Sequence, residues 1–546
     1  MRTYRDLHLT FPDRATWTLP AVLRHRAGTH GDAVFLDVPF QKVQLTYAET
    51  LDAAERVGGG LLAGGCVQGD RVLIMAANGI DYLLAWMGAS VAGLVEVPIN
   101  TAYRGTFLEH QVRTVAPRAA VVDPGFVAHF LDLEAAKGIG TFYVTGSSSS
   151  SREAIAALRG AGWSAEPFSL LSGADRPASL PEVAASDPAA ILFTSGTTGL
   201  SKGVTMPHTH FHFFADECVS LCRLTDADAH MAVGPLFHGN AQFLACYPAM
   251  IVGARFVLQQ RFSASRWVEQ LRESGVTVTN FIGVMMDWVH KQPRRDDDAD
   301  NPLRCLYAVP LATSIAPDFK ERFGIEAFVE NFGLTEISMP ILTPYGEDRP
   351  AGAAGLLVED YFDVRLVDPG TDEEVPLGEV GELVVRAHLP FTMTTGYYGM
   401  PERTVEAQRN LWFHTGDGLR RDADGWYYFV DRLKDALRRR GENISSFEVE
   451  QPVLAHPGVL DCAVVGVPAD SEAGEDELLL VVVPEEGTTL TAAEVWEWCE
   501  PRLPAFAVPR YVRIVASLPM TPSGKVRKLE LRESGVDVTT ADRETR

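Results

Sequence analysis

Residues 191–204 read Ile-Leu-Phe-Thr-Ser-Gly-Thr-Thr-Gly-Leu-Ser-Lys-Gly-Val, an apolar strand running straight into a loop of glycine, serine and threonine with one lysine. Glycines let the main chain take unusual angles and come close to a ligand. Backbone N–H groups and hydroxyls in such a loop wrap phosphate oxygens, and a lysine adds positive charge. Thr194, Ser195, Gly196, Thr197, Thr198, Gly199 and Lys202 are therefore candidate phosphate contacts. The spacing is not that of Walker A, in which Gly-Lys-Ser/Thr are adjacent, because Leu200 and Ser201 separate Gly199 from Lys202. A plain flexible linker has no buried strand in front of it and no need of three threonines and a lysine.

Working outward, residues 15–135 alternate helical patterns (21–26, 47–63, 81–91, 107–114) with strand patterns (71–75, 95–98, 119–122). That alternation predicts an α/β layered sheet. Gly146 and the serines 147–151 read as a flexible loop. A second α/β run starts near 188, with strands expected at 189–193, 230–233, 254–258, 278–281, 306–309 and 327–330. From about 352 the pattern changes to short strands at 363–367, 381–385, 419–422 and 426–430, the last two joined by the turn Asp424-Gly425. This predicts a small β-rich subdomain. A last unit has helices at 446–454 and 491–503, strands at 459–467, 477–483 and 511–515, and a Pro/Gly/Lys-rich tail at 518–527. The expected fold class is α/β: a large N-terminal part, 1–431, of two α/β layered subdomains (about 1–185 and 186–350) and a β-rich one (351–431), then a junction at 432–436 and a small α+β C-terminal domain, 437–546.

With 546 residues, 46% of them hydrophobic, the chain is long enough for several domains with large cores. Its 72 acidic against 48 basic residues, net −24, argue against a general nucleic-acid or anionic-membrane binder. No apolar signal core opens the chain, and its longest apolar runs are broken by Asp81, Pro248 or Arg255, so no membrane insertion is expected. Seven scattered cysteines suit reduced thiols in a cytoplasm. His208, His210, His212, Cys218 and Cys222 raise a zinc reading, which is set aside because His210 falls off the helical face shared by His208 and His212.

Four further segments carry chemistry. In 330–336, Glu-Asn-Phe-Gly-Leu-Thr-Glu, Phe332 offers a flat face for a base, Gly333 permits close backbone approach, Thr335 can donate to a phosphate, and Glu336 can hold Mg²⁺, a hard cation that prefers oxygen. In 412–417, Trp-Phe-His-Thr-Gly-Asp, Asp417 can accept both hydroxyls of a ribose. Asp431-Arg432-Leu433-Lys434-Asp435 is a charged junction, and 519–527 presents Lys525 on a turn-rich tail. Alone, each has a bland explanation: a capped turn, a Gly-Asp turn, a solvated linker, an exposed loop.

In this order and spacing the segments resemble the adenylate-forming superfamily of acyl-CoA synthetases, peptide-synthetase adenylation domains and luciferases, over nearly the whole chain. The resemblance implies a 1–431 adenylation domain, a hinge at Lys434 and a mobile C-terminal domain, with ATP and substrate bound between them. It implies that the 194–203 loop holds the β- and γ-phosphates, that Asn331, Phe332 and Gly333 border the nucleotide with Phe332 at adenine, that Asp417 and Arg432 hold ribose, that Thr335 meets the α-phosphate, that Glu336 ligates Mg²⁺, and that Lys525 bridges carboxylate and ATP in the first step. The implied reaction joins a small-molecule carboxylic acid to ATP, releases pyrophosphate, and passes the acyl group to CoA with loss of AMP. A homodimer is compatible with it.

The chain looks most similar to the acyl-CoA synthetases of the carnitine/crotonobetaine-CoA ligase-like group, through Phe237-His238-Gly239-Asn240 and the 440–445 segment Arg-Gly-Glu-Asn-Ile-Ser. No carrier domain follows residue 546, which sets the expectation of CoA as acceptor. By family position the acyl pocket would draw on Phe237, His238, Asn240, Ala241, residues 282–286, Val309, Pro310, Leu311, Gly333 and Leu334, a mixed aromatic, Met and amide lining suited to an aryl or short-to-medium acyl group. Two departures stand out: Tyr307–Ala312 replaces the usual Gly-Gly-Ala-type segment, and Asp431 replaces the glycine before Arg432. A secondary-metabolite role remains open, with a carrier protein or other acceptor, or with nitrite adenylated for diazotisation of an aryl amine. A nucleotide sensor on a dead synthetase fold is disfavoured by the presence of Glu336 and Lys525.

Overall fold

The computed structural model describes residues 2–194, 201–282, 285–309, 311–313, 315–432, 436–439, 442–468, 476–519, 526 and 528–545. One sheet runs Gly396–Tyr397, Lys202–Pro207, Pro188–Thr194, Val95–Pro98, Arg71–Met75, Ala119–Val122, Thr141–Val144, Ala165–Pro167 in spatial order. From Pro188–Thr194 onward its neighbours pair in parallel, whereas Lys202–Pro207 folds back antiparallel. Strands of a parallel sheet are covered on both faces and read as continuous apolar runs, which is why 71–75 and 119–122 stand out in the sequence.

A second sheet runs Ala327–Val329, Cys305–Val309, Val278–Ile282, Ala229–Ala232, Arg255–Leu258, Val34–Val38, Val43–Thr46. Val34–Val38 and Val43–Thr46 come from the first sequence block yet complete this sheet, while Pro188–Thr194 and Lys202–Pro207 cross the other way. Helices Leu19–Thr29, Tyr47–Ala63, Ile80–Val91 and His208–Cys222 share one continuous apolar core with both sheets. Tyr47–Ala63 opens with a reciprocal cap between Thr46 and Glu49.

The third sheet is antiparallel throughout: Asn331–Leu334, Ser338–Leu342, Gly355–Leu357, Trp426–Arg432, Phe413–Arg421, Gly381–Ala387, Phe362–Val367. The Asp424-Gly425 turn forms as expected, with the Asp422 carboxylate accepting the N–H groups of Asp424, Gly425 and Trp426 at 3.0, 2.9 and 2.9 Å. The smaller C-terminal part has a hairpin, Ala436–Arg439 with Glu442–Ser445, and a sheet of Val459–Pro468, Asp476–Pro484, Tyr511–Ile514 and Ala541–Asp542. Its apolar core takes in Ser446–Leu454, Ala492–Cys499 and, from the large part, Phe107, with Tyr103 packed against it.

The serine run is not a loop: Ser149–Gly160 is a helix capped by Ser148, whose side chain accepts the Ser151 N–H. Serine at that position satisfies an orphan donor of the first turn, and Ala154, Ile155 and Leu158 are buried beneath it. The helix expected over 491–503 ends at Cys499, ahead of the prolines at 501 and 504. The His208–Cys222 helix is almost wholly buried, and burial pushes His208, His210 and His212 down to about 3. Among the described residues no three His, Cys, Asp or Glu side chains are grouped to hold a metal, and no helix is long and apolar enough to cross a membrane. All seven cysteines are buried and none is in a disulfide.

Candidate active site

The phosphate-type loop is held by two antiparallel strands that place Thr194 directly opposite Lys202. Residues 195–200, and with them Ser195, Gly196, Thr197, Thr198 and Gly199, lie outside the described residues. At the sheet edge the short strand Gly396–Tyr397 pairs with Thr205 and Val204 and brings the Tyr397 ring beside Lys202, whose Nζ is 4.3 Å from the ring centroid. The Tyr397 hydroxyl donates to Glu336 Oε1 at 3.1 Å, and the Thr194 hydroxyl reaches the same oxygen at 3.5 Å.

Glu336 is only 8% exposed, in the connection between Asn331–Leu334 and Ser338–Leu342. That connection is pinned: Thr394 N–H donates to the Glu336 carbonyl at 2.9 Å, and the buried Ser338, at φ +61°, donates its hydroxyl to the Thr392 carbonyl at 3.1 Å. A left-handed serine beside a buried carboxylate is strain of the kind stored at functional sites. Burial, and then the charge of Glu336, raise the Tyr397 phenol above its ordinary value, so it remains a donor. Sequence reading missed Tyr397. The signal was Gly-Tyr-Tyr at 396–398, whose relevance depends on strand pairing nearly two hundred residues away. A carboxylate and a hydroxyl at contact distance are hard oxygen donors, the set Mg²⁺ prefers, so Glu336 and Thr194 fit that cation. Thr335 is in the same connection.

Asp417 lies within the long strand Phe413–Arg421 rather than in a turn, and is the cross-strand partner of Arg432 at the end of Trp426–Arg432. Asp417 is 2% exposed. Its strand is anchored by another residue the sequence did not flag: Glu382 accepts the Gly416 N–H at 2.9 Å and faces His414 Nδ1 at 3.0 Å. Burial raises the Glu382 carboxyl, but His414 and the Gly416 N–H outweigh it and hold it below the ordinary range.

The Phe332 ring lies nearly parallel to Phe429, with centroids 6.2 Å apart and planes at 25°. The close approach that Gly333 permits is to the protein itself, since a Cβ there would sit 2.2 Å from the Ser338 carbonyl oxygen. Asn331 accepts from the Tyr307 hydroxyl, so the unusual 307–312 segment is tied to the 330–336 motif. Val309, Phe332 and Leu334 are half-buried at the margin of the main core. Pro310 lies outside the described residues.

Phe237 and His238 precede a single turn, Gly239–Ala241, which contains Asn240 and leads into a π-turn at Gln242–Cys246. Such turns cluster at functional sites. His238 Nε2 is 3.3 Å from the carboxylate of Glu442, on the C-terminal hairpin, and Asn100 donates to the same carboxylate at 3.4 Å. Burial alone would lower the imidazole, yet Glu442 leaves His238 above its ordinary value and Glu442 below its own. Behind this segment Gln242 donates to the buried Glu96 at 2.8 Å, and burial pushes Glu96 up to about 8. Glu442 entered the sequence reading only as part of the 440–445 segment, with no role of its own, and Glu96 did not stand out. Lys434 and Lys525 lie outside the described residues, and Arg432 is placed by its strand register alone.

A family model described as AMP-binding enzyme matches residues 23–398, and one described as AMP-binding enzyme C-terminal domain matches 448–525. A feruloyl-CoA synthase of Amycolatopsis is 34% identical over 500 residues, 89% of this chain and 93% of that one. A crotonobetaine/carnitine-CoA ligase of Salmonella typhimurium is 30% identical over 515 residues, 93% of this chain and 97% of that one. Among solved structures, apo MatB from Rhodopseudomonas palustris superimposes with a TM-score of 0.66 at 27% identity, covering 95% and 98% of the two chains. The o-succinylbenzoate CoA synthetase of Bacillus subtilis shares the fold, with a TM-score of 0.78 at 22% identity over 94% and 98%.

Proposed function

Because the chain belongs to the family of AMP-binding enzymes and is an ATP-dependent, AMP-forming acyl-CoA ligase, we propose that its substrate is an aryl or short-to-medium carboxylic acid and that the groups described above divide its two steps between them. In the first step a carboxylate oxygen attacks the α-phosphorus of ATP, the bond to the β-phosphate oxygen breaks, and pyrophosphate leaves. Two anions must meet, so the barrier is electrostatic. Fixed donors aimed at developing charge are each worth roughly 10²–10³ in rate. Thr194, Lys202 and the loop between them hold the leaving phosphates, Thr335 donates at the α-phosphate, and Asp417 with Arg432 holds the ribose. Glu336 and Thr194 hold Mg²⁺, which supplies positive charge to the phosphates when bound. Tyr397 fixes the Glu336 carboxylate, and Lys525 joins the acid to the nucleotide.

In the second step the CoA sulfur attacks the acyl carbonyl and AMP leaves. The Glu442–His238 contact supports a domain orientation suited to this step, with the hairpin of the C-terminal part against the acyl-pocket segment and Lys434 as pivot, a hinge motion. The substrate class rests on Phe237, Val309 and Leu334 in the proposed wall and, for an aryl acid, on the likeness to a feruloyl-CoA synthase.

The observation that carries the reading is the convergence of Thr194, Lys202, Tyr397 and Glu336 at the mouth of the phosphate-type loop. A panel of carboxylic acids, plus nitrite, in ATP–pyrophosphate exchange with and without CoA tests it. Exchange with an aryl or a short-to-medium acid, and thioester on adding CoA, is the expected result. Exchange with nitrite alone would transfer the same phosphate chemistry to a diazotising enzyme, and exchange with neither would overturn the proposal.

A further inference from the structure

Two side chains adjacent in sequence, Glu330 and Asn331, hold the two ends of the 307–312 segment. At its start the Tyr307 hydroxyl donates to Asn331. Toward its end the Leu311 N–H donates to Glu330 Oε1 at 3.2 Å. Tyr307 is fully buried, on the strand Cys305–Val309 and opposite Val329 of the neighbouring parallel strand. Glu330 is fixed in turn. Its other carboxylate oxygen pairs with Arg349 at 2.5 Å, the two side chains being 12% and 13% exposed, and Arg349 also donates to the Ala353 carbonyl at 3.1 Å. The Glu330 main chain is locked to Thr343, whose hydroxyl oxygen accepts the Glu330 N–H at 2.7 Å and whose own N–H donates to the Glu330 carbonyl at 3.0 Å. Between these two holds Val309 and Leu311 are only half-buried. The two hydrogen bonds, and not close packing alone, set where this stretch lies.

We propose that Glu330 and Tyr307 determine which acids are accepted, by clamping the 307–312 segment and so setting the width of the acid pocket. This rests on the reading that the segment forms part of that pocket's wall. With both ends held, Val309 and Leu311 keep their distance from Leu334, which lies on the same strand as Asn331. A wall that is held in place rejects acids by bulk, since forcing extra volume against it strains side chains and backbone. Tyr307 supplies a hydroxyl that a Gly-Gly-Ala segment lacks, so the clamp belongs to the stretch in which this chain departs from its relatives. Both residues act through Val309 and Leu311 and are positioning residues. The hold on Leu311 needs an acceptor and not a charge. Burial raises the Glu330 carboxyl against the pull of Arg349 and the Leu311 N–H, and a carboxyl oxygen accepts in either protonation state.

The test measures kcat and KM for thioester formation by the full-length enzyme with short, medium and aryl acids of increasing bulk, for the wild type, Tyr307→Phe, Glu330→Gln and the double variant. Tyr307→Phe removes one hydroxyl and keeps the buried ring. Glu330→Gln leaves one carbonyl oxygen for two donors, the Leu311 N–H and Arg349. Either change should raise kcat/KM for the bulkiest accepted acid relative to the smallest by about fivefold, the worth of one hydrogen bond, and should do so through KM for the acid. The double variant should exceed either single one. KM for ATP should stay within about twofold, as for a site that shares no partner with the clamp. A ratio between acids that keeps its wild-type value, or a loss shared equally by every acid and by ATP, would overturn the clamp and leave the substrate class standing. Should Glu330→Gln not fold, Tyr307→Phe decides by the same ratio. Failure of the wild type to activate any acid of the panel would overturn the substrate class, and the clamp with it.

Discussion

The proposed nucleotide end of the site and its proposed acid end are built differently. At the nucleotide end, charged and hydroxyl groups sit on paired strands and in the short connections between them: Thr194 opposite Lys202, Glu336 between two strands, Asp417 opposite Arg432. At the acid end, the contacts join segments far apart in the chain: Tyr307 to Asn331, Gln242 to Glu96, His238 to Glu442. The first arrangement is set by strand pairing, and its proposed task is to hold the nucleotide. The second is set by tertiary packing and by which face of the C-terminal part is presented. Substitutions at the nucleotide end should therefore cost rate with any acid, and those at the acid end should change which step, which acid or which pH is favoured.

The largest effect belongs to Lys525→Ala. It should reduce pyrophosphate exchange by about 10³, while thioester formation from a supplied acyl-adenylate largely persists; equal loss of both steps would break the division between the ends. Next, Glu336→Gln should lower exchange by about 10² and move the Mg²⁺ titration to higher concentration, and an unaltered titration removes Glu336 from the cation site. Tyr397→Phe takes away one hydrogen bond to that carboxylate and leaves its charge. About a tenfold loss in exchange with every acid is expected, in line with one hydrogen bond to a charged group. A loss confined to one acid would place Tyr397 in the pocket instead.

A smaller effect, and one with a pH signature, is expected where the ends meet. His238 is raised and Glu442 lowered, so the charged pair exists above the carboxylate's value and below the imidazole's. For a raised histidine the contribution is full below the free value of about 6.5 and disappears as pH rises through the raised value. The thioester half-reaction should therefore slow as pH climbs past neutrality. In His238→Gln that slope should flatten, with a rate change at pH 6.5 of no more than about fivefold, since partly exposed pairs contribute about 1 kcal/mol or less. Parallel profiles in wild type and variant would detach the pair from domain docking.

Contiguous motifs and contacts made across the fold also differ in how far they could be read from sequence. The 191–204, 330–336 and 412–417 segments carry their chemistry in contiguous residues, so glycines, hydroxyls and acids at short spacing announce them. Tyr397, Glu382, Glu442 and Glu96 do not, because each acquires its partner only when a distant strand, hairpin or turn arrives. The same contrast holds for the fold. Buried parallel strands such as Arg71–Met75 appear as apolar runs, whereas the exchange of Val34–Val38 and Val43–Thr46 into the second sheet leaves no local mark. The serine run misled for the opposite reason: its composition is that of a linker, but one serine in the N-cap position and the apolar stripe after it make a helix.

The smallest effect tests whether the acid end is scaffold or chemistry. Glu96 is fully buried between Tyr82 and Gln242, with Gln242 donating at 2.8 Å, and its folded value is about 8 against roughly 4.3 for a free glutamate. A carboxyl raised on folding keeps its proton in the native state while the unfolded chain gives it up. Stability therefore falls as pH rises from the unfolded value to the folded one. Glu96→Gln removes the titration and keeps a carbonyl for the Gln242 amide. Between pH 5 and 8 the wild type should lose a few degrees of Tm relative to the variant, while the rate with the best acid changes by less than about threefold, the reach of a weak packing change. A matching pH slope in the two proteins would mean that Glu96 is ionised on folding, which its surroundings do not support. A change in the ranking of acids would move Glu96 from the scaffold into the pocket, because only contact with the bound acid lets a buried carboxyl discriminate one acid from another.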